Sequence, residues 1–154
     1  MTLPELDLVL RPAEAADIEI LAEIVIAARR AAPMPDSPHD ADQVGCVLAA
    51  CLEVQEIWVA ERAGEIVGYL RLVEDWIDDL YVAPRAQRAG VGTALLSLVK
   101  ALRPAGFGLW AFESNAPARA FYASHGMVEG AVTDGFGNPE QAPDLAIRWP
   151  GPSV

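Results

Sequence analysis

Residues 76–112 read WIDDLYVAPRAQRAGVGTALLSLVKALRPAGFGLWAF, and three local patterns follow one another in them. WIDDLYVAP (76–84) is rich in β-branched and aromatic residues and is stopped by Pro84, which reads as a strand. VGTALLSLVKALR (91–103) repeats its apolar residues at helical spacing. GFGLWAF (106–112) returns to a strand. Strand, glycine turn, helix and strand form a βαβ unit, so two strands are parallel and the fold is mixed α/β.

The flanking segments extend this frame in both directions. LDLVLRPA (6–13) reads as a first strand ended by Pro12, and Asp17 is placed to cap a helix with apolar positions Ile18, Leu21, Val25 and Ala28. AAPMPDSPHDAD (31–42) contains three prolines and is a loop before a second helix over 41–52. EIWVAERAGEIVGYLRLVE (56–74) is a hairpin turning at Ala63-Gly64. Beyond Phe112, a helix over 116–125 ends at Gly126, and MVEGAVTD and DLAIRW are strands around the loop GFGNPEQAP. The order is βααβββαβαββ, and the length of 154 residues fits one domain, 1–154.

Charge narrows the function classes. The net charge is −11, from 22 acids against 11 bases, which argues against nucleic acid and anionic membranes as partners. No run approaches the roughly 18 apolar residues of a membrane span, and the acidic N-terminus lacks the basic residues of a signal peptide, so a cytoplasmic location is expected. Cys46 and Cys51 form no C-x-x-C pair and His39 and His125 stand apart, so we expect no metal and read the thiols as buried and structural. Leu80 to Phe112 contains no Asp or Glu but holds Arg85, Arg88, Lys100 and Arg103, a cationic segment suited to an anionic small ligand.

Gly90 and Gly92 open the helix at the centre of that segment. A helix N-terminus presents unpaired N–H groups and the positive end of the helix dipole, and glycines let a phosphate approach the backbone. No lysine follows as a Walker-type loop requires. A dinucleotide fingerprint would need a third glycine and a downstream acid, and both are missing.

DDLYVAPRAQRAGVGTALL resembles the acetyl-coenzyme-A-binding motif of the GNAT N-acetyltransferases, [QR]-x-x-G-x-[GA], with Gln87, Gly90 and Gly92 at its fixed positions. NAPARAFYASHGM (115–127) resembles a second, downstream segment of the same family. There Asn115, Ala118, Phe121, Tyr122 and Gly126 match, and Met127 replaces the usual aromatic as a packing swap. The resemblance covers nearly the whole chain. It implies a mixed, mostly antiparallel sheet of about seven strands with helices on both faces, and a coenzyme A pyrophosphate on the glycine loop.

The resemblance implies an N-acetyltransferase that moves acetyl from acetyl-CoA to a primary amine by direct attack in a ternary complex. Backbone groups of Leu80, Tyr81 and Val82 would hold the thioester and pantetheine arm. Gln87, Arg88, Ala89, Gly90, Val91, Gly92 and Thr93 would hold the pyrophosphate, and Asn115 would be a further cofactor contact. Tyr122 is assigned to protonate the thiolate, since neighbouring helical residues point about 100° apart and only one of Phe121 and Tyr122 can pack while the other faces the cofactor. An acid at Asp78 acts as base in several members, and a β-bulge nearby would exchange its role with Asp79. As a plain strand, the alternation would put Trp76, Asp78, Leu80 and Val82 on one face and Ile77, Asp79 and Tyr81 on the other. Glu113, Asp134 and Asp144 are further candidates for a small cationic amine, in a pocket shaped by 31–42 and 133–145. Trp58, Trp76 and Trp110 read as core. A non-catalytic acyl-CoA sensor is the alternative function, and homodimers are common in the family although no residue here specifies one.

Overall fold

A computed structural model describes residues 2–3 and 7–153. Its elements are β1 (Thr2–Leu3), β2 (Leu8–Pro12), α1 (Ile18–Ala31), α2 (Ala41–Cys51), β3 (Glu56–Arg62), β4 (Glu65–Val73) and β5 (Trp76–Val82). They continue as α3 (Val91–Leu102), β6 (Phe107–Phe112), α4 (Ala116–Ser124), β7 (Val128–Val132) and β8 (Asp144–Trp149). Every strand and helix read from the sequence is present, and the two-residue β1 is added at one edge; the expected start of the first strand at position 6 lies outside the described residues. The strands form one sheet in the order β1-β2-β3-β4-β5-β6-β8-β7. Neighbours are antiparallel except β5 and β6, the two strands of the βαβ unit.

Local chemistry explains most boundaries. The turn between β3 and β4 has both residues left-handed, Ala63 at φ 52° and Gly64 at φ 80°, the two-residue geometry that suits the twist of a hairpin. Helix α1 buries Leu21, Ala22, Ile24, Val25 and Ala28 along one stripe. Asp17 precedes it but does not cap it. Its carboxylate instead holds Arg11 at 2.8 Å and accepts the Glu14 N–H, and Arg11 keeps it below its ordinary pKa.

Helices lie on both faces of the sheet. Arg29 of α1 reaches the Tyr81 hydroxyl on one face, while the open side of Gly68 meets Val91 and Leu95 of α3 on the other. Alternation along β4 therefore turns Tyr69 and Arg71 toward α1, and Leu70 and Leu72 toward α3.

Strand β5 is irregular in two ways. Arg71 pairs with Asp79 and Leu72 with Ile77, so Asp78 is the extra residue of a β-bulge. The bulge overturns part of the plain alternation: Trp76 shares a face with Asp79 and Tyr81, and Ile77 with Leu80 and Val82. In addition, β5 and β6 register only at Trp76↔Gly108 and Ile77↔Leu109, and past those pairs the strands separate.

The parallel contact depends on a missing side chain. A Cβ at Gly108 would lie 2.5 Å from Cζ3 of Trp76, a ring already flanked by Arg148 and Trp110. Gly108→Ala is expected to destabilise the fold by about 1–3 kcal/mol through overpacking, seen as a lower urea midpoint with an unchanged m-value.

Three expectations about burial divide. Met127 is buried at 5% exposure, as a packing residue should be. The thiols are not buried, since Cys46 is exposed and Cys51 only half-buried with Sγ 3.8 Å from Arg71 Nη1. Helix α2 buries little beyond Leu48, so most of its surface faces outward. Trp110 is 53% exposed and is not core, because the separation of β5 from β6 removes the neighbour that would cover it.

Candidate active site

The separating strands border a cleft of about 1330 Å³. Ile77, Asp78, Leu80, Tyr81 and Val82 of β5 line one wall, and Leu109, Trp110, Ala111 and Phe112 of β6 the other. The cleft thus passes between the two faces of the sheet. On the α3 side it meets Arg88, Gly90, Gly92, Thr93, Phe121 and Tyr122, and on the α1 side Arg29, Met34, Glu140 and Asp144.

The glycine loop is shaped as an anion cradle. Gly90 is left-handed at φ 86° where α3 begins, a conformation that favours glycine, and Arg88 is left-handed at φ 61°. The first bond inside the helix runs from Ala94 N–H to the Gly90 carbonyl, which leaves the N–H groups of Val91, Gly92 and Thr93 without helical partners. Gly92 serves a second purpose that the motif does not reveal: a Cβ there would sit 3.3 Å from Cζ of Phe121, so the glycine admits the ring from α4. Gln87 donates from Nε2 to the Val82 carbonyl at 3.1 Å and ties the loop to the end of β5. Ala89 and Val91 do not line the cleft with their side chains; Val91 is buried and the Ala89 carbonyl accepts from Arg62.

The cationic segment contributes less than its composition suggests. Of its four bases only Arg88 lines the cleft. Arg85 lies 3.8 Å from Glu65, Lys100 donates to the His125 carbonyl, and Arg103 pairs with Glu56.

Helix α4 delivers Tyr122. Asn115 caps the helix, its Oδ1 accepting the Ala118 N–H at 3.4 Å, and its amide faces Met34 Sδ in the cleft. Phe121 packs against His125 at 4.5 Å between ring centroids, and His125 in turn lies 3.1 Å from Thr93 Oγ1 on the glycine loop. Tyr122 stands edge-on to Phe121, is 8% exposed, and its hydroxyl takes no hydrogen-bond partner among the described residues. Burial raises its pKa well above the ordinary phenol value, with Tyr81 adding to the shift. Its hydroxyl proton is therefore retained throughout the neutral range.

The two adjacent acids of β5 have different surroundings. Asp79 accepts from Arg71 Nε at 2.8 Å and from the Tyr69 hydroxyl at 3.1 Å, and it does not line the cleft. Asp78, thrown outward by the bulge, does line it and lies 3.3 Å from Arg71 Nη1. Burial raises the pKa of Asp78 while Arg71 opposes the shift and Asp79 adds to it. Asp144 also lines the cleft, its carboxylate held by Thr133 and Asn138. Glu113 and Asp134 do not: Glu113 is exposed outside the cleft, and Asp134 accepts the Phe136 N–H in the β7–β8 loop.

Residues 53–129 match the family described as acetyltransferase (GNAT) domain. The chain belongs to the GNAT acetyltransferases. A peptidyl-lysine N-acetyltransferase of Escherichia coli, YiaC, is 30% identical over 110 residues, which span 71% of this chain and 73% of that protein. Among solved structures, apo YjaB of Escherichia coli superposes with a TM-score of 0.76 at 20% identity, covering 94% of this chain and 99% of that one. The acetyltransferase yncA of Salmonella typhimurium, solved with its cofactor acetyl-CoA, superposes with a TM-score of 0.70 at 20% identity over 96% of both chains. This GNAT protein is an acetyl-CoA-dependent acetyltransferase, and the glycine loop and β5 fit that cosubstrate: unpaired N–H groups for the pyrophosphate, and a strand edge without its neighbour for an extended arm.

Sequence reading missed Arg29 in this GNAT site. Its guanidinium is buried, pairs with Glu140 at 3.0 Å, donates to the Pro35 carbonyl and lies 5.7 Å from the Phe112 ring. The signal was present: Arg29 stands four residues after Val25, on the apolar stripe of α1, where a charge is buried only with partners. This contact joins loop 31–42 to the β7–β8 loop over the α1 side of the cleft.

Proposed function

We propose that this acetyltransferase moves the acetyl group directly to a primary amine, preferably a small cationic one, within a ternary complex. The observation that carries the reading is the shared cleft, which Tyr122 of α4 and Asp78 of β5 both line. The amine arrives as an ammonium ion, and Asp78, directly or through a water, accepts its proton. The neutral nitrogen attacks the thioester carbonyl, and backbone N–H groups of β5 stabilise the oxyanion. As the tetrahedral adduct collapses, the C–N bond is kept and the C–S bond breaks. Tyr122 gives its proton to the departing thiolate, and the nitrogen sheds its second proton to solvent as the amide forms. Solvent then reprotonates Tyr122 and deprotonates Asp78. Leu80, Tyr81 and Val82 flank the acyl and pantetheine arm, Gln87 and Asn115 hold the frame around it, and residues 88–93 carry the pyrophosphate.

Acids on the α1 side support a cationic acceptor. Glu140 is offset by Arg29, and Asp78 and Asp79 share the single charge of Arg71, so Asp78 and Asp144 leave the cleft with net negative charge. A lysine side chain on a peptide is the second acceptor to test, since YiaC is named for that substrate. Initial velocities over a grid of acetyl-CoA and amine concentrations check the mechanism. Intersecting lines, with no acetylated protein in the mass spectrum after acetyl-CoA alone, are expected. Parallel lines with a stable acetyl-enzyme would replace direct attack by a covalent route.

A further inference from the structure

Trp110 is a large apolar side chain left half in solvent where it lines the cleft. It also has neighbours on one side. Its ring lies 5.8 Å from that of Trp76, the guanidinium of Arg148 covers Trp76 at 5.5 Å, and Arg148 is tied to Asp75. Trp76 packs at a tilt against one side of Trp110, and the rest of the Trp110 surface is open to the cleft. Such a surface attracts cations and flat or extended apolar stems.

The charges around it are arranged at its two ends. On β5 the bulge places Asp78 beside the cleft, level with the start of the strand separation. On the other side, Asp144 pairs with Phe112, two residues beyond Trp110 and one strand further over. Thr133 and Asn138 fix the Asp144 carboxylate, yet two hydrogen bonds leave about half of its acceptor sites free. Unbroken strand spacing and rise would put Asp78 and Asp144 roughly 10–12 Å apart, and the separation of β5 from β6 widens that gap. The cations around it are already engaged: Arg148 by Asp75, Arg29 by Glu140, and Arg71 by Asp78 and Asp79.

We propose that Trp110 is a specificity-determining platform, and that the acceptor carries, besides its reacting amine, a second cationic group that crosses Trp110 to reach Asp144. This rests on the reading of Asp78 as the reacting end. A monoamine would occupy only that end and leave the platform and Asp144 unused. A matched pair of probes, hexanediamine and hexylamine, isolates the difference.

Calorimetric titration of each amine into the protein saturated with coenzyme A reads binding without turnover. The wild-type protein is expected to bind the diamine about tenfold more tightly than the monoamine. Trp110→Ala is expected to abolish that preference, and Trp110→Phe to retain part of it, with coenzyme A affinity unchanged in both. Equal affinity for the two amines, binding of neither, or an undiminished preference in Trp110→Ala overturns the proposal. Should diamine preference depend on Trp110 while no amine is acetylated, the platform stands and the catalytic assignment of Asp78 and Tyr122 falls.

Discussion

Tyr122→Phe is expected to lower kcat by roughly 10²–10⁴-fold, the span of general acid catalysis, or about 3–5 kcal/mol of transition-state stabilisation. Three features of the residue argue for an effect of that size confined to the chemical step. The residue lines the cleft, its hydroxyl makes no hydrogen bond among the described residues, and burial keeps it protonated above the ordinary phenol range. Removing an oxygen without protein partners costs little stability, so the unfolding midpoint should stay within the small range of neutral substitutions. Acetyl-CoA affinity should also be unchanged, because the ring and its edge-on contact with Phe121 remain. Stopped-flow turnover combined with calorimetry separates these quantities. If kcat is preserved, another group or solvent protonates the thiolate.

Asp78→Asn carries the second large effect. A base must be ionised to act, so wild-type kcat/KM should rise with pH as Asp78 loses its proton. Burial lifts that titration above the ordinary aspartate value of about 3.9, against the pull of Arg71. In the Asn variant this limb should vanish, leaving the titration of the free amine alone, and kcat/KM near neutrality should fall by roughly 10²-fold or more. The pH profile decides the matter: a variant that is merely slower but retains the same acid limb shows that Asp78 is not the titrating base. Asp79→Asn provides the contrast. Its carboxylate is engaged by Arg71 and Tyr69 away from the cleft, so its loss should appear in stability more than in the profile.

The architecture is legible in the sequence because it rests on periodicity. The switch from strand to helical spacing and back across 76–112 is written in residue types, and so is the order of elements around it. What escapes depends on single-residue geometry or on neighbours distant in sequence. A bulge at Asp78 has no signature of its own in WIDDLYV, yet one extra residue moves Trp76 and Ile77 to opposite faces from those expected. Gly92 reads as room for a ligand, whereas Phe121 from another helix fills the space beside it. Trp110 reads as core in any strand, yet it is half exposed beside the gap between β5 and β6. Arg29 is visible as a charge on an apolar stripe, but its partner Glu140 is 111 residues away.

Two pairs of residues, Trp76 with Gly108 and Ile77 with Leu109, are the whole of the registered contact between β5 and β6. The protein therefore contains a seam. On one side are the strands from β1 to β5, and on the other β6, β8 and β7. A pantetheine arm lying along β5 would act as a rung that the polypeptide does not provide, linking the halves by hydrogen bonds that exist only while the cosubstrate is in place. Cosubstrate occupancy and continuity of the sheet would then be one property, and the gap in the ladder would lie where the acetyl group is transferred.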